Sequence, residues 1–148
     1  MSRIEQRLAE LGLVIPVAQT PVGDYLGSKI CENLLFVSGR VSELRGEVDS
    51  KISLDEARRA ARYTVLQMLA IIRQDIGSLD RIESVEQLRG FVRSAPTFAA
   101  RPEVIDGASD LPIELLGDPV RHARTATGGA QLPFGAVVQL DMVLRLSR

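Results

Sequence analysis

RHARTATGGAQLPFGAVVQLDMVLRL, residues 121–146, decides how the chain is read. Its second half alternates. Val138, Leu140, Met142, Leu144 and Leu146 fall on one side of an extended strand, and Val137, Gln139, Asp141, Val143 and Arg145 fall on the other. That spacing predicts a strand over Ala136–Arg145 with one face built to receive helices and a second, mixed face. His122–Gly128 predicts another strand, with Leu132-Pro133-Phe134-Gly135 as the turn that joins the two.

Working backward, the chain must supply the helices for that apolar face. Ser53 and Glu56 form a capping-box pattern, and Leu54, Ala57, Ala61, Val65, Met68, Leu69, Ile72 and Ile76 then recur at helical spacing until Gly77. Glu103–Leu116 predicts a second helix, although Gly107 and Pro112 fall inside it. Between them, Arg81–Arg93 reads as a strand on its β-branched and aromatic content. Upstream, Tyr25–Ile30 and Leu34–Val37 have the spacing of a hairpin, closed by Ser38 and Gly39, and Arg40–Lys51 is polar enough for a surface loop. Ser2 and Glu5 form another capping box, opening a short amphipathic helix over about residues 2–12.

The order strand-strand-helix-strand-helix-strand-strand predicts an α+β sandwich with two main helices on one face of the sheet. The opposite face, with Val137 and Val143 on it, is then half covered, and self-association is the expected way to cover it. A length of 148 residues suits one domain over 1–148.

Composition narrows the function classes. A net charge of -1 and a pI near 5.9 supply no basic stripe for a phosphate backbone, which disfavours nucleic acid. The longest weakly charged run, Thr125–Leu140, is broken by Gly128, Gly129, Pro133 and Gly135, so no membrane span is expected. Cys31 is the single cysteine and the N-terminus has no apolar export segment, so the expectation is a cytoplasmic protein. One histidine and one cysteine, far apart, exclude a clustered zinc site; no metal and no cofactor is expected. Cys31 reads as a small buried hydrophobe. Gly128, Gly129 and Gly135 match no phosphate-binding fingerprint and read as turn and bulge glycines.

Arg124 carries the one chemical suggestion. Strand alternation groups it with His122 and Ala126 beside flexible glycines, where a planar guanidinium suits bidentate capture of a carboxylate. The alternative is an arginine paired with an Asp or Glu of its surroundings.

Several of these stretches together resemble the Rid (YjgF-type) family, also described as endoribonuclease L-PSP. Val22-Gly23-Asp24-Tyr25 is similar to its Gly-x-Tyr opening, and Leu34–Arg40 to its apolar strand ending in Ser-Gly. His122-Ala123-Arg124 leading to Leu132-Pro133-Phe134-Gly135 is the most specific match, and Gly107-Ala108-Ser109-Asp110 with Gly117 is similar to a longer subgroup. The resemblance implies a chorismate-mutase-like fold, a homotrimer with the sheets turned inward, and ligand clefts between subunits. It implies hydrolysis of 2-imino acids or enamines to 2-keto acids and ammonia. Arg124 would grip a substrate carboxylate, Tyr25 would line the cleft, and Ser38 and Gly39 would lie near it.

The chain departs from that pattern at the reacting centre. Where the family's deaminases carry a water-activating glutamate, counting from Leu-Pro gives Gln139, which can hold a water but not accept its proton. Asp141, two residues on and on the same face, is the substitute base in reach. Arg40 stands where a glutamine often follows Ser-Gly, and Arg101-Pro102 where many members have an asparagine. Two functions therefore remain open: an imine deaminase, or a non-catalytic trimer that binds small carboxylates.

Overall fold

The computed structural model describes residues 2–148, with the side chain of Pro119 left aside. Helix α1 (Arg3–Glu10) begins at its capping box: Glu5 N donates to Ser2 Oγ at 3.1 Å, and Ser2 N donates to Glu5 Oε2 at 3.2 Å. Asp80 holds the same end, accepting from the backbone N–H of Arg3 and of Ile4. Helix α2 (Leu54–Ile76) starts with Ser53 as N-cap and stops at Gly77, whose φ of 87° only glycine adopts freely. Its predicted stripe is its buried face: Ala57, Ala61, Val65, Met68 and Ile72 are sealed from solvent.

Five strands form one sheet. They are β1 (Ser28–Cys31), β2 (Leu34–Val41), β3 (Ile82–Val92), β4 (Ala123–Gly128) and β5 (Val138–Leu146), in the order β1-β2-β5-β3-β4. All neighbours are antiparallel except β3 and β4. The last two strands are therefore not the hairpin that their linking turn suggested. Helix α3 (Arg101–Leu116) carries the chain from β3 over to a parallel β4, which takes the sheet edge. The strand with the cleanest apolar face, β5, takes the middle: Val138, Leu140, Met142, Leu144 and Leu146 are all buried, and the residues between them are not. The predicted architecture holds, with α2 and α3 packed on one face of the sheet and against each other.

Two glycines make that packing close. A Cβ on Gly107 would stand 2.1 Å from the carbonyl oxygen of Arg58 on α2, and one on Gly90 of β3 would stand 2.5 Å from Ile105 of α3. The glycine that weakened the prediction of α3 is thus the residue that lets it dock. The helix starts two residues earlier than expected and accommodates Pro112 in its interior.

Other expectations need correction. β1 begins at Ser28, not Tyr25, and β2 does not close at Ser38-Gly39 but continues to Val41 through a register shift between Val37 and Arg40. The Arg40–Lys51 stretch is only partly a surface loop. Val48 is buried and bonds Arg93 and Ala95 through its backbone, and Ser42 accepts from the backbone of Val137 and Val138. That layer buries Val137, which alternation had placed on the uncovered face. Cys31 is exposed, not buried, because it ends an edge strand opposite Leu34.

The sheet face away from the helices carries Phe36 opposite Val143, and Phe91 opposite Gln139, with Arg89 opposite Asp141. Phe36 is 46% exposed. Among the described residues no helix is long and apolar enough to cross a membrane.

Candidate functional site

The expected site residues form two separate groups. The first surrounds a concavity of about 360 Å³ lined by Val22, Tyr25, Gly39, Arg40, Val41, Pro133, Phe134 and Gln139. The β2 irregularity builds it. One extra residue on β2 sets Arg40 beside Leu140 and Val41 beside Gln139, re-aiming the strand end as a bulge does. Gly39 leaves room for the Gln139 amide, whose Nε2 would be 3.4 Å from a Cβ there. Phe134 closes the rim with a left-handed φ of 59°, a costly backbone state for a bulky residue and one that concentrates at ligand sites.

Tyr25 is half exposed on the wall of this hollow. Ser38 is not on the wall. Its hydroxyl donates to Leu26 O at 2.6 Å and its N–H to Gly27 O at 2.9 Å, so it tethers the segment that carries Tyr25. Asp141 lies outside the hollow too, accepting from Arg89 Nε at 2.8 Å. That hydrogen bond, with the carboxylate charge behind it, raises the Arg89 pKa above its ordinary value.

The second group lies at the β4 edge, where α3 runs alongside. Arg124 Nη1 donates to Asp106 Oδ1 at 2.7 Å and to Ser109 Oγ at 3.1 Å. Ser109 Oγ and His122 Nε2 are 3.0 Å apart, and His122 Nδ1 is 2.9 Å from the carbonyl oxygen of Val120. A carbonyl only accepts, so Nδ1 donates to Val120; with a neutral imidazole Nε2 then accepts from the Ser109 hydroxyl, and Ser109 accepts from Arg124. The relay thus runs from Arg124 through Ser109 and His122 to the Val120 carbonyl. A shallower hollow of about 250 Å³ runs beside it, lined by Asp106, Ser109, Asp110, Ile113, Arg121, His122 and Arg124.

Asp106 and Ser109 escaped the sequence reading. Their signal was their three-residue spacing on the helix that feeds the arginine strand, which puts both on one helix face. Phe134 and Val41 were missed as wall residues because the bulge that assembles the wall leaves no periodic trace.

Register shows how far apart the groups are. Arg124 pairs with Leu88, whose side chain enters the core under the helices, whereas Gln139 pairs with Phe91 on the other face. Strand β3 intervenes. In a single chain, the arginine and the amide cannot touch one small ligand. Among the described residues no cluster of three or more His, Cys, Asp or Glu could hold a metal ion.

Comparison with known proteins agrees with the fold. The family described as "YjgF/chorismate_mutase-like, putative endoribonuclease" matches residues 5–145. Protein TCP17 of Trypanosoma cruzi is 37% identical, over 98% of this chain and 95% of that protein. The crystal structure of Atu1372 from Agrobacterium tumefaciens, a protein of unknown function, is 39% identical with a TM-score of 0.91, covering 98% of this chain and 93% of that one. A Shewanella oneidensis structure described as a "putative endoribonuclease" is 27% identical with a TM-score of 0.92, covering 97% and 99%. The strand order, the two helices on one face and a match spanning nearly all of the sequence lead to one conclusion: the chain belongs to the YjgF/Rid family.

Proposed function

We propose that this protein is a homotrimer that binds small carboxylates in clefts between subunits, with Arg124 of one copy facing Tyr25, Gly39 and Gln139 of the next. The observation that carries this reading is the division of the site. The cation and the hollow lie on opposite faces of one sheet, so only a second copy can complete them. The partly apolar face around Phe36 and Val143 supplies a surface for that contact. The ligand is a small carboxylate or an imino acid, held by the planar fork of Arg124. Tyr25 and Gln139 supply the opposite wall, and Ser38 acts by tethering Tyr25.

The experiment is thermal unfolding of the wild type and Arg124→Ala across a panel of small carboxylates, alongside a solution mass. A trimer of 16.2 kDa chains, stabilised by carboxylates only when Arg124 is present, is the expected result. A monomer, or no stabilisation by any carboxylate, overturns the reading.

A second reading has its own observation, the placement of Gln139 in the hollow beside Tyr25. An amide there holds a water against the carbon of a bound 2-imino acid. Addition of that water and loss of ammonia give the 2-keto acid. With Gln139 unable to take a proton and Asp141 held by Arg89, the water attacks without a general base, so hydrolysis is slow. Imines generated by an amino-acid oxidase, with keto-acid release measured with and without protein, test it; no acceleration removes this reading and leaves the first. RNA cleavage, by contrast, gains no support from a chain with a net charge of -1.

A further inference from the structure

We infer that the Gln139 hollow takes a flat aromatic ring, so that the ligand of this site is a small carboxylate carrying an aryl group. This rests on the reading of the hollow as the place where a carboxylate ligand binds, and it names the part of the ligand that fills it.

The walls of the hollow lie within one chain, so the argument needs no second copy. Val22, Tyr25 and Phe134 border it and are 69%, 50% and 58% exposed, three large side chains left open around one concavity. The chain has four Phe and two Tyr, and one of each stands here. Val41 and Pro133 extend the apolar wall. Arg40 borders the hollow as well, but it pairs in register with core-facing Leu140, so its charge is turned from the face that Gln139 occupies.

Both aromatic residues are fixed by their backbone surroundings. The Tyr25 ring folds over Gly23, where an added Cβ would stand 3.3 Å from Cδ1 and Cε1. Phe134 keeps a left-handed φ of 59°, a state that its neighbour Gly135, at 69°, adopts without steric cost. A bulky residue held there calls for a reason outside the turn itself, and the exposed ring on the rim of the hollow supplies one. The Gln139 amide lies against Gly39, half-buried and without a hydrogen-bond partner among the described residues. Two fixed aromatic rings and a free amide suit a flat ring, which gains edge-to-face or offset contacts with the first and meets the amide N–H with its π face or a polar edge. A saturated chain gains the apolar burial but not the ring-to-ring contact.

The test compares dissociation constants of wild-type protein for acetate, cyclohexylacetate and phenylacetate, by calorimetry at matched ionic strength. All three carry the same carboxylate, so their ratios read the hollow alone. Phenylacetate should bind about tenfold or more tighter than acetate, from apolar burial, and about two- to tenfold tighter than cyclohexylacetate, from ring-to-ring contact. Phe134→Gly removes the ring and suits the left-handed turn, so it should keep or raise Tm while the preference for phenyl over cyclohexyl falls to about one. Phe134→Leu, which keeps apolar volume, should lose that preference yet still favour both rings over acetate. A wild-type preference near one, or one that survives Phe134→Gly, overturns the aryl assignment and leaves the carboxylate reading standing. If the carboxylates all fail while uncharged phenylacetamide binds, the carboxylate reading falls and the ring site stands; failure of every probe overturns both. The wild-type ratios decide the matter even if a variant folds poorly.

Discussion

Arg124 is already bound to a carboxylate, and it is that of Asp106, one turn before Ser109 on α3. A ligand that uses the guanidinium has to share it with Asp106 or displace it. The Arg124 side chain is 25% exposed and that of Asp106 41%, so the pair sits where water can replace either partner. Its net worth to folding is correspondingly small. The structure shows the alternative that the sequence left open for Arg124, an arginine paired with an Asp of its surroundings, and that partner is the kind of group a carboxylate ligand would imitate.

Asp106→Asn should therefore tighten carboxylate binding, by removing a competing charge that also repels the ligand. The expected cost in stability is below about 1 kcal/mol, as for other exposed pairs. Calorimetric titration with the best ligand of the wild type measures the gain, and thermal unfolding measures the cost. Weaker binding in Asp106→Asn would mean that Asp106 orients the guanidinium for the ligand and does not compete with it.

Gly107 separates two opposing effects of a methyl group. Alanine is worth about 1 kcal/mol more than glycine in a helix interior, which would stabilise α3. Its Cβ, however, would stand 2.1 Å from the backbone oxygen of Arg58, and backbone cannot rotate away. Overpacking wins. Gly107→Ala should lose about 3 kcal/mol net, or roughly 6 to 12 °C in Tm for a domain of this size. An unchanged Tm would show that α2 and α3 can separate freely.

Glu5 links α1 to α2 and makes the fold sensitive to acid. The hydrogen bond from Arg73 at 2.9 Å, followed by the backbone N–H of Ser2, lowers its pKa below the ordinary 4.5. A carboxyl whose folded pKa is depressed binds protons more readily when unfolded, so its stabilisation is full above about pH 4.5 and is lost as pH falls through the folded value. Glu5→Gln should lower Tm at neutral pH and leave a flatter decline below pH 4.5. Unfolding followed between neutral pH and acid checks both; parallel curves for the two proteins would remove Glu5 from the account.

What could be read in advance followed from local periodicity and caps. Strand β5 and helix α2 were legible because their burial repeats at fixed intervals, and Ser2, Ser53 and Gly77 marked their own helix ends. Pairing across the sheet was not. Nothing in His122–Gly128 says that it runs parallel to β3, because that follows from α3 crossing the sheet. The site was legible as residue types and illegible as geometry. Arg124 and Gln139 share one short stretch of sequence yet occupy opposite faces, and the hollow around Gln139 depends on a bulge at Ser38-Gly39 that alternation alone reads as a strand end. The sequence places Ser38 near the cleft but cannot show that its hydroxyl donates to Leu26 O.

Gln139 offers the last test of the imine-hydrolysis proposal, because it lines a formed hollow and its amide cannot accept a proton. Glutamate is close to isosteric with glutamine, and Gly39 leaves the same space for either. In Gln139→Glu a carboxylate replaces the amide, and on the proposed imine hydrolysis it takes a proton from the water that attacks the imine carbon. A positioned general base contributes on the order of 10² to 10⁴ in rate, so keto-acid release from 2-imino acids should rise by that range over wild type. The gain should appear as pH rises through the carboxyl pKa, since only the ionised form accepts a proton. It should vanish in Gln139→Glu combined with Arg124→Ala, because a base without the carboxylate anchor has no substrate held before it. A rise in rate that survives removal of Arg124 would show that the base acts on imines from solution and that the cleft does not position them.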